Sequence, residues 1–194
     1  ITQVDALQEA EFVEVPVGEE CKSLEVAAQV WQTLLESEAD RNTVIVNLGG
    51  GCVSDLGGYV AAGYKRGIRH INVPTSLLAM VDAAIGGKTA VNFGGVKNSI
   101  GHFYPAAVTV IEPAFLDTLP DEEMLNGRME MVKTAAVADP ALFSQLIKEG
   151  SQFSILNSQL KQVTRIKARV VKADPYDHSI RRILNFGHTF GHAV

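Results

Sequence analysis

Two histidines near the end of the sequence, His188 and His192, are four residues apart in the apolar, glycine-spaced run at 185–193. On a helix, side chains four residues apart lie on one face, so both imidazoles could bind one cation such as Zn2+. A zinc site needs at least three protein ligands, and this run offers two histidines. The alternative is a pair of histidines at the edge of the core. Because Asn185 adds a third polar group, we favour a metal or binding site.

Glycines form a second candidate site in the run GGGCVSD at 49–55, between a predicted strand and a predicted helix. In that context glycines let the pyrophosphate of a dinucleotide approach the N–H groups at a helix N-terminus. The run is close to the pattern GxGxxG but has Ser54 in the last position. A plain tight turn is therefore an equal alternative.

The run GGKT at 86–89 has the ending of a phosphate-binding Walker loop. Asp82 stands where the first glycine of that loop belongs, and no predicted strand immediately precedes the run, so we reject this interpretation. Lys88 is then expected in a glycine-rich turn. It would be exposed by default, but it would suit a phosphate oxygen if the turn faces a cleft.

Charged side chains further along give weaker signals. Glu130 and Lys133 are three residues apart on a predicted helix and alone predict an ordinary surface ion pair. Arg181 and Arg182, close to His178, indicate either the solvated start of a helix or two guanidinium groups that bind a carboxylate or phosphate.

The elements that would position these residues alternate between helix and strand up to residue 118. Helical periodicity predicts three helices, at 22–38, 54–64 and 74–84. Short β-rich runs predict three strands, at 43–48, 69–73 and 108–111. Ser54 is expected as the N-cap of the second helix, and four glycines indicate a loop region at 86–95. The alternation predicts an α/β fold with a parallel sheet and helices on both faces.

Beyond Thr118 the pattern changes to helix alone. Three helices are predicted, at 122–137, 140–149 and 159–171. A polar connector is predicted at 150–157. We therefore expect a domain boundary near Thr118, with an α/β domain at 1–118 and a helical domain at 119–194.

Composition and charge narrow the class of protein. With 194 residues and 46% hydrophobic content, the chain can bury one large core or two modest ones. A formal net charge of −5 argues against a nucleic-acid surface, and without a membrane-length apolar run or a signal peptide the expected location is the cytoplasm. Cys21 and Cys52 are expected to be buried small hydrophobes. Because the sequence begins at Ile1 and its helical pattern is still running at Val194, we expect a portion of a longer protein.

Seven stretches together resemble the 3-dehydroquinate synthase family from about Pro16 to Val194. They are GEECKS at 18–23, GGGCVSDLGGYVAAGYKRG at 49–67, VPTSLLAMVDAAIGGKTAVN at 73–92, KN at 97–98, FLDTLP at 115–120, EMVK at 130–133 and SIRRILNFGHTFGHA at 179–193. Their combination is far more specific than any one of them. The resemblance implies a Rossmann-like N-terminal domain that binds NAD and an all-helical domain that binds the metal, with the active site between them.

The resemblance also implies a role for individual residues. The NAD side would include Glu19, Lys22, Gly51, Asp55, Thr75, Ser76, Lys88, Lys97, Phe115, Thr118 and Leu119. The substrate side would include Asp82, Lys88, Asn98, Lys133, Lys167, Arg181, Asn185 and His192. Glu130 and His188 would bind Zn2+, with Co2+ as a possible substitute, so the resemblance assigns only the first histidine of the pair to the metal. Arg66 would reach the substrate phosphate of the neighbouring subunit in a homodimer.

The activity implied is the conversion of 3-deoxy-D-arabino-heptulosonate 7-phosphate to 3-dehydroquinate and phosphate, in the shikimate pathway of aromatic amino acid biosynthesis. It comprises NAD-mediated transient oxidation at C5 assisted by the metal ion, phosphate elimination, re-reduction and an aldol cyclisation. Arg181, alone or with Lys167, would bind the carboxylate. Two alternatives stay open: a related sugar-phosphate cyclase or polyol dehydrogenase without the carboxylate-binding arginine, and an inactive NAD-binding fragment.

Several positions depart from the family pattern. Ser54 stands in place of a glycine, Ser76 in place of a second threonine, and Thr134 where an aromatic residue is common. The connector near Gly150 is shortened. The family's third zinc ligand is a downstream histidine, which would lie beyond Val194.

Overall fold

A computed structural model describes residues 10–149 and 157–187 of the chain. The helices are α1 (Leu24–Glu36), α2 (Gly51–Gly63), α3 (Asp121–Ala138), α4 (Pro140–Lys148) and α5 (Asn157–Ala173). The strands are β1 (Val44–Gly49), β2 (Arg69–Pro74), β3 (Lys88–Phe93), β4 (Val96–Phe103) and β5 (Val108–Thr109). Short 3₁₀ turns lie at Gly18–Cys21, Tyr64–Arg66, Pro113–Thr118 and Ile180–Asn185, and a π-helical turn lies at Ala79–Ala83. Within the described ranges no helix is both long and apolar enough to cross a membrane.

Three parallel strands form the central sheet in the order β1-β2-β5. Ile45 on β1 packs against the core beneath α2, whereas Val44, Val46 and Leu48, which alternate with the buried positions, are each more than a third exposed. Side chains of a strand alternate between the two faces of a sheet, so the described residues cover one face of β1 and leave the other open. The predicted parallel α/β architecture is confirmed, whereas the predicted helices on both faces are not seen at β1 among the described residues.

The predicted loop region at 86–95 is wrong, because β3 and β4 form an antiparallel hairpin there. Gly94 and Gly95 make its turn with φ of 60° and 78°, a conformation that glycine adopts without strain. Lys88 therefore begins a strand instead of lying in a turn. The hairpin escaped prediction because nearly all of β4 is exposed and lacks an apolar alternation.

Two helix starts also differ from prediction. α2 begins at Gly51 with Gly50 as its N-cap residue, so Ser54 is not the cap; its hydroxyl donates to the carbonyl of Gly50 from inside the first turn. The helix predicted from Pro74 begins only at Leu77, after Ser76 accepts a hydrogen bond from the N–H of Ala79. It then widens into the π-helical turn.

The second core lies between this π-helical turn and the three helices that follow. Leu77, Met80 and Val81 pack with residues of α3, α4 and α5, among them Met131 on α3. α3 approaches closely because position 127 is glycine: a Cβ there would lie 2.5 Å from Leu77. This packing brings the polar side chains of the π-helical turn and of α3 to the same place. The predicted boundary near Thr118 lies between β5 and α3, and it stays a prediction.

Candidate active site

Lys22, which follows the turn Gly18–Cys21, is the centre of a first group of polar side chains. Its ammonium nitrogen lies 2.7 Å from Oδ2 of Asp55 on α2 and 2.5 Å from Oδ1 of Asn98 on β4. Lys22 is only 4% exposed, and a charge so deeply buried needs a partner. We call Glu19, Lys22, Asp55, Asn92 and Asn98 the Lys22 cluster. Asn98 was predicted for the substrate and Lys22 for NAD, so the structure brings members of both sets together.

The charges of the Lys22 cluster compensate each other. Burial alone would lower the pKa of Lys22, but the attraction and hydrogen bond of Asp55 raise it. Burial raises the pKa of Asp55, while the ammonium group 2.7 Å away opposes that rise and favours the carboxylate. The side-chain amide of Asn92 donates to Glu19 at 2.9 Å, and this hydrogen bond lowers the pKa of Glu19. The cluster is thus a preformed ion-pair network.

The glycine run lies beside this cluster, at the carboxyl end of β1. A Cβ at Gly49 would meet Val53 at 2.6 Å, and one at Gly51 would meet Ala83 at 3.0 Å, so the backbone is packed too tightly for larger residues. The carbonyl of Gly49 accepts from the N–H of Thr75. Gly50 offers no side chain to cap the first turn of α2, and uncapped N–H groups at a helix N-terminus suit a phosphate. The dinucleotide interpretation therefore fits this geometry.

Cys21 is buried as predicted, whereas Cys52 is only half-buried. The thiol of Cys52 lies 3.7 Å from Oε1 of Glu19, and the ammonium nitrogen of Lys97 lies 4.0 Å from the same oxygen. These contacts connect the first turn of α2 to the Lys22 cluster.

Asp82, Glu130, Lys133 and Lys167 form a second group, which we call the Glu130 cluster. Lys167 on α5 pairs with Asp82 of the π-helical turn, and Lys133 lies 2.6 Å from Oε1 of Glu130 on α3. The spacing of Glu130 and Lys133 correctly predicted an ion pair but not its place. Their side chains are 11% and 13% exposed, so the pair is not on the surface.

The carboxylate of Glu130 is buried beside a second carboxylate and beside the ammonium group of Lys133. Burial raises its pKa, and the neighbouring carboxylate of Asp82 raises it further, while Lys133 lowers it. Its buried Oε1 has one close partner, the ammonium nitrogen of Lys133 at 2.6 Å. A buried carboxylate beside a second carboxylate fits a divalent cation. His188 and His192 lie outside the described residues, and no group of three or more potential ligands is found within them.

Lys88 and Arg181 connect the hairpin to the end of the helical part. The ammonium nitrogen of Lys88 lies 2.5 Å from Oδ2 of Asp177. Arg181 is 3% exposed, and its Nη1 donates to the carbonyls of Gly86 and Pro175. The alternative of a solvated helix start is therefore wrong for Arg181.

The turn that carries Asp177 and Arg181 is held by Asp174. Burial would raise the pKa of Asp174, but hydrogen bonds from the backbone N–H groups of His178, Ser179 and Arg181 hold it well below its usual range. A carboxylate that caps three N–H groups keeps Arg181 and Lys88 in fixed relation to each other.

The remaining predicted residues lie at separate places. Arg66 is exposed and has a φ of 67°, directly after Lys65 with a φ of 45°. Phe115 and Thr118 are in the 3₁₀ turn before α3, where Phe115 and Leu119 pack against the helical core. Asn185 ends the last 3₁₀ turn.

Sequence reasoning missed Asn92 and Asp177. Both side chains contact predicted site residues, Glu19 and Lys88 respectively. Asn92 was hidden by the failure to predict the hairpin. For Asp177 the available signal was its run of polar neighbours between Pro175 and Arg181, which predicts a turn but not its contact.

Comparison with known proteins identifies relatives along nearly the whole chain. The family model for the 3-dehydroquinate synthase N-terminal region matches residues 12–126, and the C-terminal model matches residues 127–194. A 3-dehydroquinate synthase of Parabacteroides distasonis is 41% identical over 196 residues, covering 100% of this chain and 56% of the relative. The chain thus spans about half the length of that curated relative.

Two solved structures are similar in fold. A 2-epi-5-epi-valiolone synthase from Streptomyces hygroscopicus subsp. jinggangensis, with NAD+ and Zn2+ bound, has a TM-score of 0.84 and 31% identity, covering 91% of this chain and 51% of that one. A 2-deoxy-scyllo-inosose synthase complexed with carbaglucose-6-phosphate, NAD+ and Co2+ has a TM-score of 0.87 and 29% identity, covering 94% and 52%.

Proposed function

Because this chain belongs to the 3-dehydroquinate synthase family, we propose that the whole protein converts 3-deoxy-D-arabino-heptulosonate 7-phosphate to 3-dehydroquinate and phosphate. The observation that carries the proposal is the convergence of Asp82, Glu130, Lys133 and Lys167 from three elements into one buried cluster. Such a cluster is costly to stability unless it serves binding or chemistry. The proposal includes a homodimer and a cytoplasmic place in aromatic amino acid biosynthesis.

NAD would be held at the carboxyl end of the parallel sheet. The uncapped first turn of α2 supports a pyrophosphate site at Gly51, and a crevice at the carboxyl ends of parallel strands is where open α/β sheets bind ligands. Asp55 and Lys22 border this position as an ion pair that needs no further partner. They would therefore shape and orient the cofactor site without contributing net charge.

A divalent metal ion would be held by Glu130 together with His188. The burial of the Glu130 carboxylate beside the carboxylate of Asp82 supports this assignment. The chemistry supplied by the two bound groups is hydride transfer from NAD and Lewis acidity from the metal ion. A solved relative with NAD+ and Zn2+ and another with NAD+ and Co2+ make both groups reasonable for this protein.

The substrate would be oriented by the cationic groups around these sites. Lys88 is half exposed and held by a single carboxylate, Asp177, so its ammonium group could exchange that partner for a phosphate oxygen. Among the described residues the guanidinium of Arg181 donates through Nη1 to the carbonyls of Gly86 and Pro175, which leaves its other N–H groups for a carboxylate. Arg66, exposed in a left-handed turn, would serve a neighbouring subunit.

The test is phosphate release by the whole protein. We expect release from the heptulosonate phosphate to require NAD and to stop when a chelator removes the metal. Lys88→Ala should lower turnover by at least about 100-fold, as expected when a charged group that stabilises a reacting phosphate is lost. The matched control is Lys172→Ala, an exposed lysine on α5, which should leave turnover unchanged. Chelator-insensitive turnover would contradict the metal assignment.

A second candidate is a related cyclase that acts on a sugar phosphate without a carboxylate. It is favoured by the two similar solved structures, neither of which is described as a dehydroquinate synthase. A substrate panel separates the two functions. Turnover that requires the carboxylate and is lost in Arg181→Ala supports the proposal. Turnover of hexose 6-phosphates instead supports the alternative, and no zinc and no turnover at all would indicate a non-catalytic protein.

A further inference from the structure

Three polar side chains lie side by side on the covered face of the parallel sheet. Asn47 on β1 is in register with Asn72 on β2, and Asn72 is in register with Thr109 on β5. The two asparagines are 4% and 5% exposed, and Nδ2 of Asn47 donates to Oδ1 of Asn72 at 2.8 Å. Central parallel strands are usually apolar, and polar groups buried there need a reason.

Two side chains of the polar row Asn47, Asn72 and Thr109 donate to one backbone carbonyl. The oxygen of Ala84 accepts from Nδ2 of Asn72 at 3.2 Å and from the hydroxyl of Thr109 at 3.1 Å. Ala84 is the C-cap residue of the π-helical turn, and Gly86 and Gly87 then reverse the chain with φ of 113° and 69°. Since no helix continues there to use the carbonyl, side chains of the sheet satisfy it.

The row has a fixed direction because Asn47 orients Asn72. The amide of Asn47 donates to the oxygen of Asn72, so the nitrogen of Asn72 is left to face Ala84. Asn47 is in turn held by α2, since a Cβ at Gly57 would lie 1.7 Å from its Oδ1. Gly57 is two residues from Asp55 of the Lys22 cluster.

The anchored carbonyl lies between two groups of the proposed active site. Asp82 is two residues before Ala84, and Lys88 is four residues after it. Arg181 binds the carbonyl of Gly86 from the opposite, helical side. We propose that Asn72 and Thr109 are positioning residues. They hold the Ala84 carbonyl and thereby fix the positions of Asp82 and Lys88 relative to the proposed NAD site. For its effect on turnover this inference rests on the proposed function.

The anchoring itself is tested by amide hydrogen exchange in the whole protein, without any assay of activity. Thr109→Val removes the hydroxyl while keeping the shape, and Thr109→Ser keeps the hydroxyl. We expect exchange of the segment 79–88 to become about 5-fold faster in Thr109→Val, as for one lost hydrogen bond, and to stay unchanged in Thr109→Ser. Asn72→Leu should accelerate the same segment more strongly. Unchanged exchange of that segment in both Thr109→Val and Asn72→Leu would overturn the inference.

Turnover then tests positioning against a general loss of structure. In Thr109→Val we expect kcat to fall about 10-fold with little change in the KM for NAD, because a small misplacement of reacting groups acts on the chemical step. In a Lys88→Ala background the same substitution should have almost no further effect. Equal losses in both backgrounds would refute positioning of Lys88. If the wild-type protein does not turn over the heptulosonate phosphate, the proposed function fails, while the exchange experiment still decides the anchoring.

Discussion

The Lys22 cluster and the Glu130 cluster are both buried groups of opposite charges, yet they differ in how completely the charges are satisfied. Lys22 has a carboxylate and an amide oxygen within 2.7 Å. Glu130 has the ammonium group of Lys133 at 2.6 Å, but the neighbouring carboxylate of Asp82 repels its charge. The first cluster therefore stabilises the fold by itself, whereas the second is adapted to an additional cation. The difference separates a structural ion pair from a binding site.

The largest effect should come from removing the charge of Glu130. Glu130→Gln keeps the shape of the side chain but makes it a poor metal ligand. We expect zinc retention and turnover to fall by more than the roughly 10–100-fold loss typical of a group that only supports a metal ligand. Metal content per subunit and phosphate release at saturating zinc measure the two losses.

The stability of Glu130→Gln also tests the difference between the two clusters. In the metal-free protein, Glu130→Gln should not lower the unfolding temperature, because the burial cost and the repulsion by Asp82 that it removes offset the lost ion pair with Lys133. Glu123→Gln, an exposed change on the same helix, is the control for the loss of one negative charge. A clear drop in the stability of metal-free Glu130→Gln would mean that both clusters are structural, and the contrast between them would disappear.

The next largest effect concerns the Lys22 cluster. Asp55→Asn leaves the ammonium group of Lys22 buried without its carboxylate, and we expect a loss of about 3 kcal/mol in the free energy of unfolding. Urea denaturation of the whole protein measures it. Lys22→Met should cost less, because the carboxyl group left behind is 20% exposed and its pKa is already raised by burial, so it can take up a proton.

The two substitutions test whether the ion pair or the lysine alone matters. A larger loss for Lys22→Met than for Asp55→Asn would show that the apolar stem of Lys22 contributes more than the pairing of its charge. Equal stability of both variants and the wild type would remove the Lys22 cluster from the structural framework.

Local patterns predicted one of the two clusters better than the other. The helical spacing of Glu130 and Lys133 predicted their contact, because residues three apart on a helix are neighbours. It could not predict burial, which depends on α4 and α5 packing around α3. The pair of Lys22 and Asp55 joins residues 33 positions apart, and no periodicity encodes such a contact. Only the resemblance to a family placed both residues at one site.

The fold followed from the sequence wherever apolar side chains repeat with a clear period. β1 and β2 were predicted to within a residue of their ends, and α3 likewise, since their buried faces are regular. The hairpin of β3 and β4 was missed because β4 is almost wholly exposed and is held by its hydrogen bonds to β3. The polar row from Asn47 to Thr109 was hidden for the opposite reason, since isolated polar residues within apolar strands carry no signal of their partners.

His70 is a further buried titratable group in the α/β part, and it tests whether only the Glu130 cluster can accept additional charge. It is 1% exposed on β2, stacked on Tyr104 with ring centroids 5.6 Å apart, and its Nδ1 has no hydrogen-bond partner among the described residues. Burial lowers the pKa of His70 below the ordinary value of a histidine. The ring is therefore held neutral in the folded protein.

This histidine should make the α/β part sensitive to acid in a narrow range of pH. Below about pH 6.5 His70 is protonated in the unfolded chain but not in the folded protein. The free energy of unfolding therefore decreases as the pH is lowered, until the pH reaches the pKa of His70 in the folded protein. Each unit of difference between the folded and unfolded pKa values corresponds to about 1.4 kcal/mol. Urea midpoints at pH 7 and pH 5.5 should differ more in the wild type than in His70→Phe, which keeps the stacking on Tyr104. Equal pH dependence in both proteins would mean that protonated His70 gains a hydrogen-bond partner in the folded protein. The α/β part would then accommodate an additional charge, as the Glu130 cluster does.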